Sequence, residues 1–260
     1  MQALLNTAVK AARKGGETAL RHLQHVHQLK VHTKQPRDFV TKVDLEAEAA
    51  IIDSIRERYP DHAFLAEERG RQGDGEYVWV IDPLDGTTNF IHGFPIFAVS
   101  IALRIKGRLT VAVIYDPNRQ EIFTAIRGQG AQVDGHRIRV SNRRDLRDTL
   151  IGTGFPYRSK EIIQTYTKML VSVLENTAGI RRPGAAALDL AYVAAGRLDG
   201  FWEFGLQEWD IAAGSLIVRE AGGLISELQG DGDYFRSGNI VVGNPKIHDA
   251  LRKLLIPHLP

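Results

Sequence analysis

The densest group of reactive residues is Asp82-Pro83-Leu84-Asp85-Gly86-Thr87-Thr88-Asn89-Phe90, directly after the apolar run 77–81. Two carboxylates therefore stand at and just past the end of an expected buried strand. Pro83 fixes the turn and Gly86 frees the backbone on its far side. Asp85 to Thr88 can also open a short helix, whose first-turn N–H groups and dipole suit an anion. Carboxylates beside an anion cradle repel the anion unless divalent cations lie between them. Oxygen-only ligands at a phosphate site suit Mg²⁺, which keeps waters and uses substrate oxygens. Three further acidic positions fall at expected element ends: Glu67-Glu68 after the apolar 63–66, Asp44 at the start of a helix after Val40-Thr41, and Asp210 opening the helix around 210–220. A helix N-terminus favours the ionised form of Asp210. Taken singly, each has a plainer reading as a turn dipeptide, a helix cap or surface charge. Their joint pattern outweighs those readings.

The elements that must position these groups follow from periodicity. Leu4, Leu5, Ala8, Ala11, Ala12, Ala19, Leu20 and Leu23 predict a helix over 3–29, weakened at Gly15-Gly16. Residues 30–41 read as extended or looped, with Pro36 as punctuation, and 42–58 as a second helix stopped by Tyr59-Pro60-Asp61. Strands are expected at 63–66, 77–81, 98–105, 109–115, 121–126 and 132–133. Lys106-Gly107-Arg108 and Asp134-Gly135 supply the turns between them. The first half thus reads as two helices against an antiparallel sheet. The polar segment 141–149 is the expected junction between subdomains 1–145 and 146–260. The second half alternates: strand 150–154, helix 160–176, strand 179–182, helix 185–195, strand 199–204, helix 210–220. Such alternation implies a mixed or parallel sheet and an α/β layered protein overall.

Composition excludes several classes. There is no cysteine, so disulfide scaffolds, thiolate zinc sites, iron–sulfur clusters and cysteine nucleophiles are out. Lys+Arg at 33 nearly balances Asp+Glu at 31, which argues against a general nucleic-acid binder and against direct DNA binding. No apolar run is long enough for a signal segment or a membrane span, so a cytoplasmic protein is expected.

The chain strongly resembles the inositol monophosphatase family, most closely its bacterial SuhB-like branch. The resemblance rests on DPLDGTTNFIHGFP at 82–95, GAAALDLAYVAAGRLDGFWE at 184–203, WDIAAGSLIVREAGG at 209–223, AEE at 66–68 and FVTKVD at 39–44, and it spans essentially the whole chain. It implies a five-layered αβαβα sandwich of the inositol monophosphatase and fructose-1,6-bisphosphatase type. It also implies a Mg²⁺-dependent phosphomonoesterase acting on inositol 1-phosphate by attack of a metal-activated water. Carried over residue by residue, Glu67, Asp82 and the Leu84 carbonyl hold one Mg²⁺. Asp82, Asp85 and Asp210 hold a second, and Glu67 with waters a third, weaker one. The Gly86 and Thr87 amides hold phosphate, while the Thr87 hydroxyl, linked to Asp44, orients the water with Glu67. On the sugar side Asp85, the Ala186 backbone and Glu203 contact ring hydroxyls, and Gly184 and Asp210 are further substrate-binding residues. Asp85 as a nucleophile is the competing mechanism, disfavoured because its oxygens are committed to metal and substrate. The family implies lithium sensitivity and a homodimer, and the branch is associated with transcription antitermination and NusA. The alternatives are a sugar or nucleotide phosphatase (fructose 1,6-bisphosphate, a 3′-phosphonucleotide) and a regulatory protein that binds RNA polymerase or NusA. One departure is Ala185, where the family usually has Ser or Thr.

Other features have plain readings. His22 and His25 are read as surface residues rather than a metal pair, and His92 either as a residue near the site mouth or as a plain loop residue. Arg137, Arg139, Arg143, Arg144 and Arg147 read as a solvated, internally paired surface, with an RNA or partner contact as the alternative. Trp79, Trp202 and Trp209 are assigned to packing.

Overall fold

A computed structural model describes residues 1–28, 31–35, 38–157, 160–230 and 232–259, with side chains outside 28–40. Helix α1 (Gln2–Leu23) buries Leu4, Ala8, Ala11, Ala12, Gly15 and Ala19 along one stripe. It ends six residues before the expected 29, which itself lies outside the described residues, as does Pro36; a single 3₁₀ turn (Val26–Gln28) follows the helix. Strands β1 (Val31–Gln35) and β2 (Asp38–Thr41) form an antiparallel ribbon leading into α2 (Lys42–Arg56). The glycine pair does not weaken α1 idly. A Cβ at Gly15 would stand 2.7 Å from Ile51 of α2, and one at Gly16 2.6 Å from the Tyr115 ring. The glycines are where α1 lies flush on its neighbours.

The first sheet contains β3 (Ala63–Ala66), β4 (Gly70–Gln72), β5 (Tyr77–Asp85), β6 (Ala98–Ile105), β7 (Arg108–Asp116), β8 (Glu121–Ile126), β9 (Gly130–Val133) and β10 (His136–Ile138). A short helix, α3 (Thr87–Ile91), separates β5 from β6. The strand order is β10-β9-β8-β7-β6-β5-β3-β4. Two of the turns are two-residue hairpins with both residues at positive φ, Lys106-Gly107 (51° and 76°) and Asp134-Gly135 (48° and 80°). That backbone matches the twist of the flanking strands. The expectation of a purely antiparallel sheet is corrected at one pair: β3 and β5 run parallel. The chain leaves β3, forms β4 on the outer edge, and returns on the other side of β3. Both strands therefore end at the same rim, which brings Glu67 alongside Asp82.

The second sheet contains β11 (Leu150–Thr153), β12 (Gly179–Arg181), β13 (Gly200–Glu203), β14 (Leu224–Glu227) and β15 (Ile240–Gly243), ordered β12-β11-β13-β15-β14. β12, β11 and β13 are parallel, whereas β15 and β14 are antiparallel to their neighbours, so the sheet is mixed as alternation implied. Its helices are α4 (Ile163–Asn176), α5 (Ala186–Ala194), α6 (Glu208–Glu220), α7 (Tyr234–Ser237) and α8 (Pro245–Leu255). Helix α8 carries a legible start: Asn244 accepts from the Lys246 and Ile247 amides, and Pro245 occupies the first turn.

Alternation along the strands divides the core into layers. Trp79 and Ile81 face α1 and α2, in a cluster with Ala8, Ile51 and Val113. Val80 faces the other way, into a cluster with Leu190 of α5, Leu216 of α6, and Phe201 and Val242 of the second sheet. Trp202 and Val241 face the far side, against Met169 of α4 and Leu251 of α8. The order is helix, sheet, helix, sheet, helix: the five-layered αβαβα sandwich. Each fully buried large apolar side chain contributes about 1.5–3 kcal/mol. Because α6 packs on β6 and β7 of the first sheet, the central layer is common to the residues before and after 145.

Candidate active site

Open α/β sheets place ligands beyond the carboxyl ends of their parallel strands. Here the ends of β3 and β5 face those of β11 and β13 across a cleft of about 680 Å³. Glu67, Asp82, Leu84, Asp85, Gly86 and Thr87 line it from the first sheet, and Gly184, Ala186, Glu203 and Asp210 from the second half. A more open depression of about 480 Å³ lies on the outside of α1 and α2, where Lys14 and Arg21 are already engaged by Glu57 and Thr18.

Strand β5 does not stop at Ile81 as expected. It continues to Asp85 with a break in register against β6 between Asp82 and Asp85. That irregularity turns both carboxylates into the cleft. The Leu84 amide donates to Asp82 Oδ1 at 2.9 Å, and the Ala187 amide, from the first turn of α5, donates to Asp85 Oδ2 at 2.7 Å. Asp82 is 2% exposed and Asp85 9%. Burial holds both carboxyls well above the ordinary carboxylate range, and the neighbouring charges push the same way: Glu67, Asp85 and Asp210 on Asp82, and Asp210, Glu203 and Glu67 on Asp85. The two amides oppose the shift only in part.

Gly86 is the N-cap of α3 with φ of 96°, and a Cβ there would stand 2.9 Å from the Ile96 carbonyl and 3.3 Å from that of Gly184. Only glycine fits, and the turn leaves first-turn N–H groups without intrahelical acceptors. Thr87 Oγ1 stands 2.9 Å from Asp44 Oδ1 and 3.1 Å from the Leu84 carbonyl, both of which it can reach as donor. Asp44 itself does not line the cleft. It is 1% exposed behind Thr87, and its Oδ2 accepts from the Thr41 amide and hydroxyl at 2.8 and 2.7 Å. Burial raises its pKa, and the Thr41 and Thr87 bonds counter the rise.

Across the cleft, Asp210 stands in the first turn of α6, and its Oδ2 accepts from the Gln207 amide at 2.7 Å. A Cβ at Gly154 would overlap the Glu203 carboxylate, so the glycine gives that side chain its place. Asn89 Nδ2 bonds the Ile96 and Pro183 carbonyls at 2.8 and 2.9 Å, tying α3 to the loop before α5. Sequence reasoning missed four residues here. Asp189 of α5 lines the cleft at 1% exposure; burial raises its pKa well above normal and Oδ1 has no hydrogen-bond partner. Arg182, at the rim, lies over the rings of Phe155 and Tyr157 at 5.2 and 4.9 Å. For Arg182, Phe155 and Tyr157 the position just past the ends of β12 and β11 is the signal that could have found them, and for Asp189 its place in the first turn of α5.

The fit to Mg²⁺ follows from the donor chemistry. Glu67, Asp82, Asp85, Asp189, Glu203 and Asp210 line one cleft against a single lining cation, Arg182. The side-chain donors of these six are all oxygens, and Leu84 lies among them. Among the described residues no three such side chains are already drawn together at one point. Mg²⁺ asks for one or two carboxylates, with water and phosphate oxygens completing its octahedron. Glu67, Asp82, Asp85, Asp210 and the Leu84 carbonyl are the residues that would hold it.

The remaining positions take plain roles. His22 Nε2 is 2.7 Å from Glu46, and His25 is exposed beyond the end of α1. His92 is exposed and is not among the residues lining the cleft. The five arginines between 137 and 147 are exposed, and Arg147 pairs with Asp145 at 2.6 Å. Trp79 and Trp202 are fully buried, whereas Trp209 is half-buried, packs on the central layer and lines the cleft. Among the described residues no helix is long and apolar enough to cross a membrane.

Comparison with known proteins agrees with this architecture. The chain is 54% identical to the Nus factor SuhB of Pseudomonas aeruginosa, covering 100% of this chain and 98% of that one. The crystal structure of the extragenic suppressor protein suhB from Bartonella henselae superposes with a TM-score of 0.95 at 47% identity, covering 97% and 98%. The inositol monophosphatase from Anabaena superposes with a TM-score of 0.88 at 38% identity, covering 100% and 97%. The sequence profile of the inositol monophosphatase family matches residues 1–259, and the chain belongs to that family.

Proposed function

We propose that the protein hydrolyses myo-inositol 1-phosphate to inositol and phosphate, with Mg²⁺ as cofactor and water as nucleophile. The observation that carries this reading is the facing of Glu67, Asp82, Asp85 and Asp210 in one cleft beside the side-chain-free turn at Gly86. Members of the family are generally Mg²⁺-dependent, and mutually repelling carboxylates in a cleft for an anionic substrate make chemical sense only with cations between them. When bound, the ions supply charge neutralisation for the phosphoryl oxygens and lower the pKa of water.

The chain's own residues position the reactants. With its proton directed to Asp44 Oδ1, Thr87 Oγ1 presents lone pairs to a water and accepts its hydrogen, aiming the water oxygen at phosphorus. Asp44 cannot turn away, because Oδ2 is held by Thr41 twice. The amides at Gly86 and Thr87 receive phosphate oxygens. The Ala187 amide occupies one oxygen of Asp85, which supports water over Asp85 as the nucleophile. Glu203 and the backbone at Ala186 face the position of the alcohol and would bind ring hydroxyls. Attack forms one P–O bond as the ester P–O bond breaks; one hydrogen of the water stays on the product phosphate and the other ends on the leaving alkoxide. Phosphate release from a panel of inositol 1-phosphate, fructose 1,6-bisphosphate and a 3′-phosphonucleotide, with and without Mg²⁺, tests the reading; preference for either of the latter two would move the substrate assignment.

The name of the P. aeruginosa relative, a Nus factor, supports a second and compatible reading: a role in transcription antitermination, for which NusA and RNA polymerase are the contacts to test. The exposed Arg137, Arg139, Arg143 and Arg144 are the surface to mutate. Loss of NusA or polymerase capture in the quadruple Ala variant, with hydrolysis intact, would support it; unchanged capture would move the contact elsewhere.

A further inference from the structure

Glu48 is fully buried in α2, yet it does not line the cleft. Its Oε2 accepts from the Glu68 amide at 2.8 Å, and Arg69 Nε stands 3.5 Å from Oε1, which has no hydrogen bond. Burying a carboxylate on such terms adds little to folding by itself. What the carboxylate does is hold the backbone that follows β3. That segment carries Glu67. The Glu67 amide bonds the Ile81 carbonyl at 3.1 Å, so the residue is held in front by β5 and behind, through Glu68, by Glu48. The chain from Glu67 to Arg69 is the turn between β3 and β4, clamped at its ends by the pairing of Ala66 with Gly70, and Glu48 holds its middle.

Glu48 lies one helical turn beyond Asp44, so both carboxylates project from the same face of α2. Asp44 fixes Thr87 at the cleft, and Glu48 fixes the loop that brings Glu67 to it. One helix thus sets two parts of the site that are distant in sequence from each other.

We propose that Glu48 is a positioning residue for metal binding: by accepting the Glu68 amide it holds Glu67 in the orientation that ligates Mg²⁺. This rests on the reading of Glu67 as a metal ligand. Losing an outer support of a metal ligand typically weakens metal affinity by roughly 10- to 100-fold.

The test compares Glu48→Leu, which removes the acceptor at similar volume, with Glu48→Gln, which keeps one. Mg²⁺ binding is read by titration calorimetry on the full chain, and Mg²⁺ half-saturation is read again in the hydrolysis assay. Glu48→Leu should fold with a Tm lowered by the amide it leaves unpaired, bind Mg²⁺ about tenfold or more weakly, and keep its turnover at saturating Mg²⁺. Glu48→Gln should bind within about twofold of wild type, a rescue that a merely space-filling role would not produce. Wild-type affinity in Glu48→Leu would overturn the proposal, as would equal losses in both variants. If Glu48→Leu does not fold, amide exchange in the wild type decides: the Glu68 N–H must be protected, and rapid exchange there would overturn it. Weakened Mg²⁺ binding in Glu48→Leu, alongside a wild type that binds Mg²⁺ but hydrolyses no phosphomonoester, would leave the proposal standing and remove the assigned reaction. A wild type that binds no Mg²⁺ would remove both.

Discussion

The Thr87 hydroxyl donates to Asp44 Oδ1 across 43 positions of sequence, at 2.9 Å, and Asp44 is buried behind it rather than open to the cleft. The pair joins the start of α3 to the start of α2 and fixes the direction in which Thr87 offers its lone pairs. Thr87→Ala should therefore lower kcat by roughly 10²-fold or more, with little change in KM or in Mg²⁺ half-saturation. Asp44→Asn should lower kcat in the same sense, since its amide can present a donor to Thr87 and turn the hydroxyl. Steady-state kinetics across a Mg²⁺ series separates these outcomes from a loss of metal.

Asp82 faces Glu67, Asp85 and Asp210, and Asp82→Asn should abolish turnover in a folded protein. The same substitution has a stability signature. A carboxyl whose pKa is raised in the folded state makes that state the one that binds more protons. Its contribution is then lost as pH rises from the unfolded value near 3.8 through the raised folded value. Removing that carboxyl should raise the Tm of the metal-free protein at pH 8 relative to wild type, and the gap should close toward pH 4. Thermal melts in chelator at both pH values check this; a lower Tm at pH 8 would count against the repulsion.

Much of this site was legible in the sequence. Asp82, Asp85, Gly86 and Thr87 are consecutive, so a strand end and a turn are enough to place them together. Asp44, Glu67 and Asp210 are each at an element terminus, but their convergence depends on the parallel pairing of β3 with β5 and on α6 crossing between the sheets. Periodicity fixes neither. The carry-over of Asp44 to Thr87 came from resemblance, and the structure places the two in contact. Glu48 carries no signal in the sequence, because its burial depends on a loop twenty positions later. Beyond residue 220 no element was assigned, although Asn244-Pro245 is a helix-start signal. Asp189, Arg182, Phe155 and Tyr157 were not read as site residues, because only the packing of the second sheet turns them to the cleft.

Gly86→Ala should damage the site from two directions. Its φ of 96° costs a side chain about 1–2 kcal/mol, and the Cβ would press on the Ile96 carbonyl. A lower Tm together with a higher KM for the phosphate ester is the expected result. A change in Tm alone would mean that the amides at this turn do not receive phosphate.

Li⁺ at millimolar concentration should inhibit by entering the position assigned to Asp82, Asp85 and Asp210. Rates in LiCl against a KCl control check this, and equal rates would argue against an ordinary site of the family.

The central claim is that the facing carboxylates exist to hold Mg²⁺ for hydrolysis of a phosphomonoester. Phosphate release from inositol 1-phosphate, measured along a Mg²⁺ titration of chelator-treated protein, tests it most directly. The account predicts no release without metal and a saturable rise with Mg²⁺ that Asp82→Asn lacks. Release indifferent to Mg²⁺, or matched by Asp82→Asn, would contradict it.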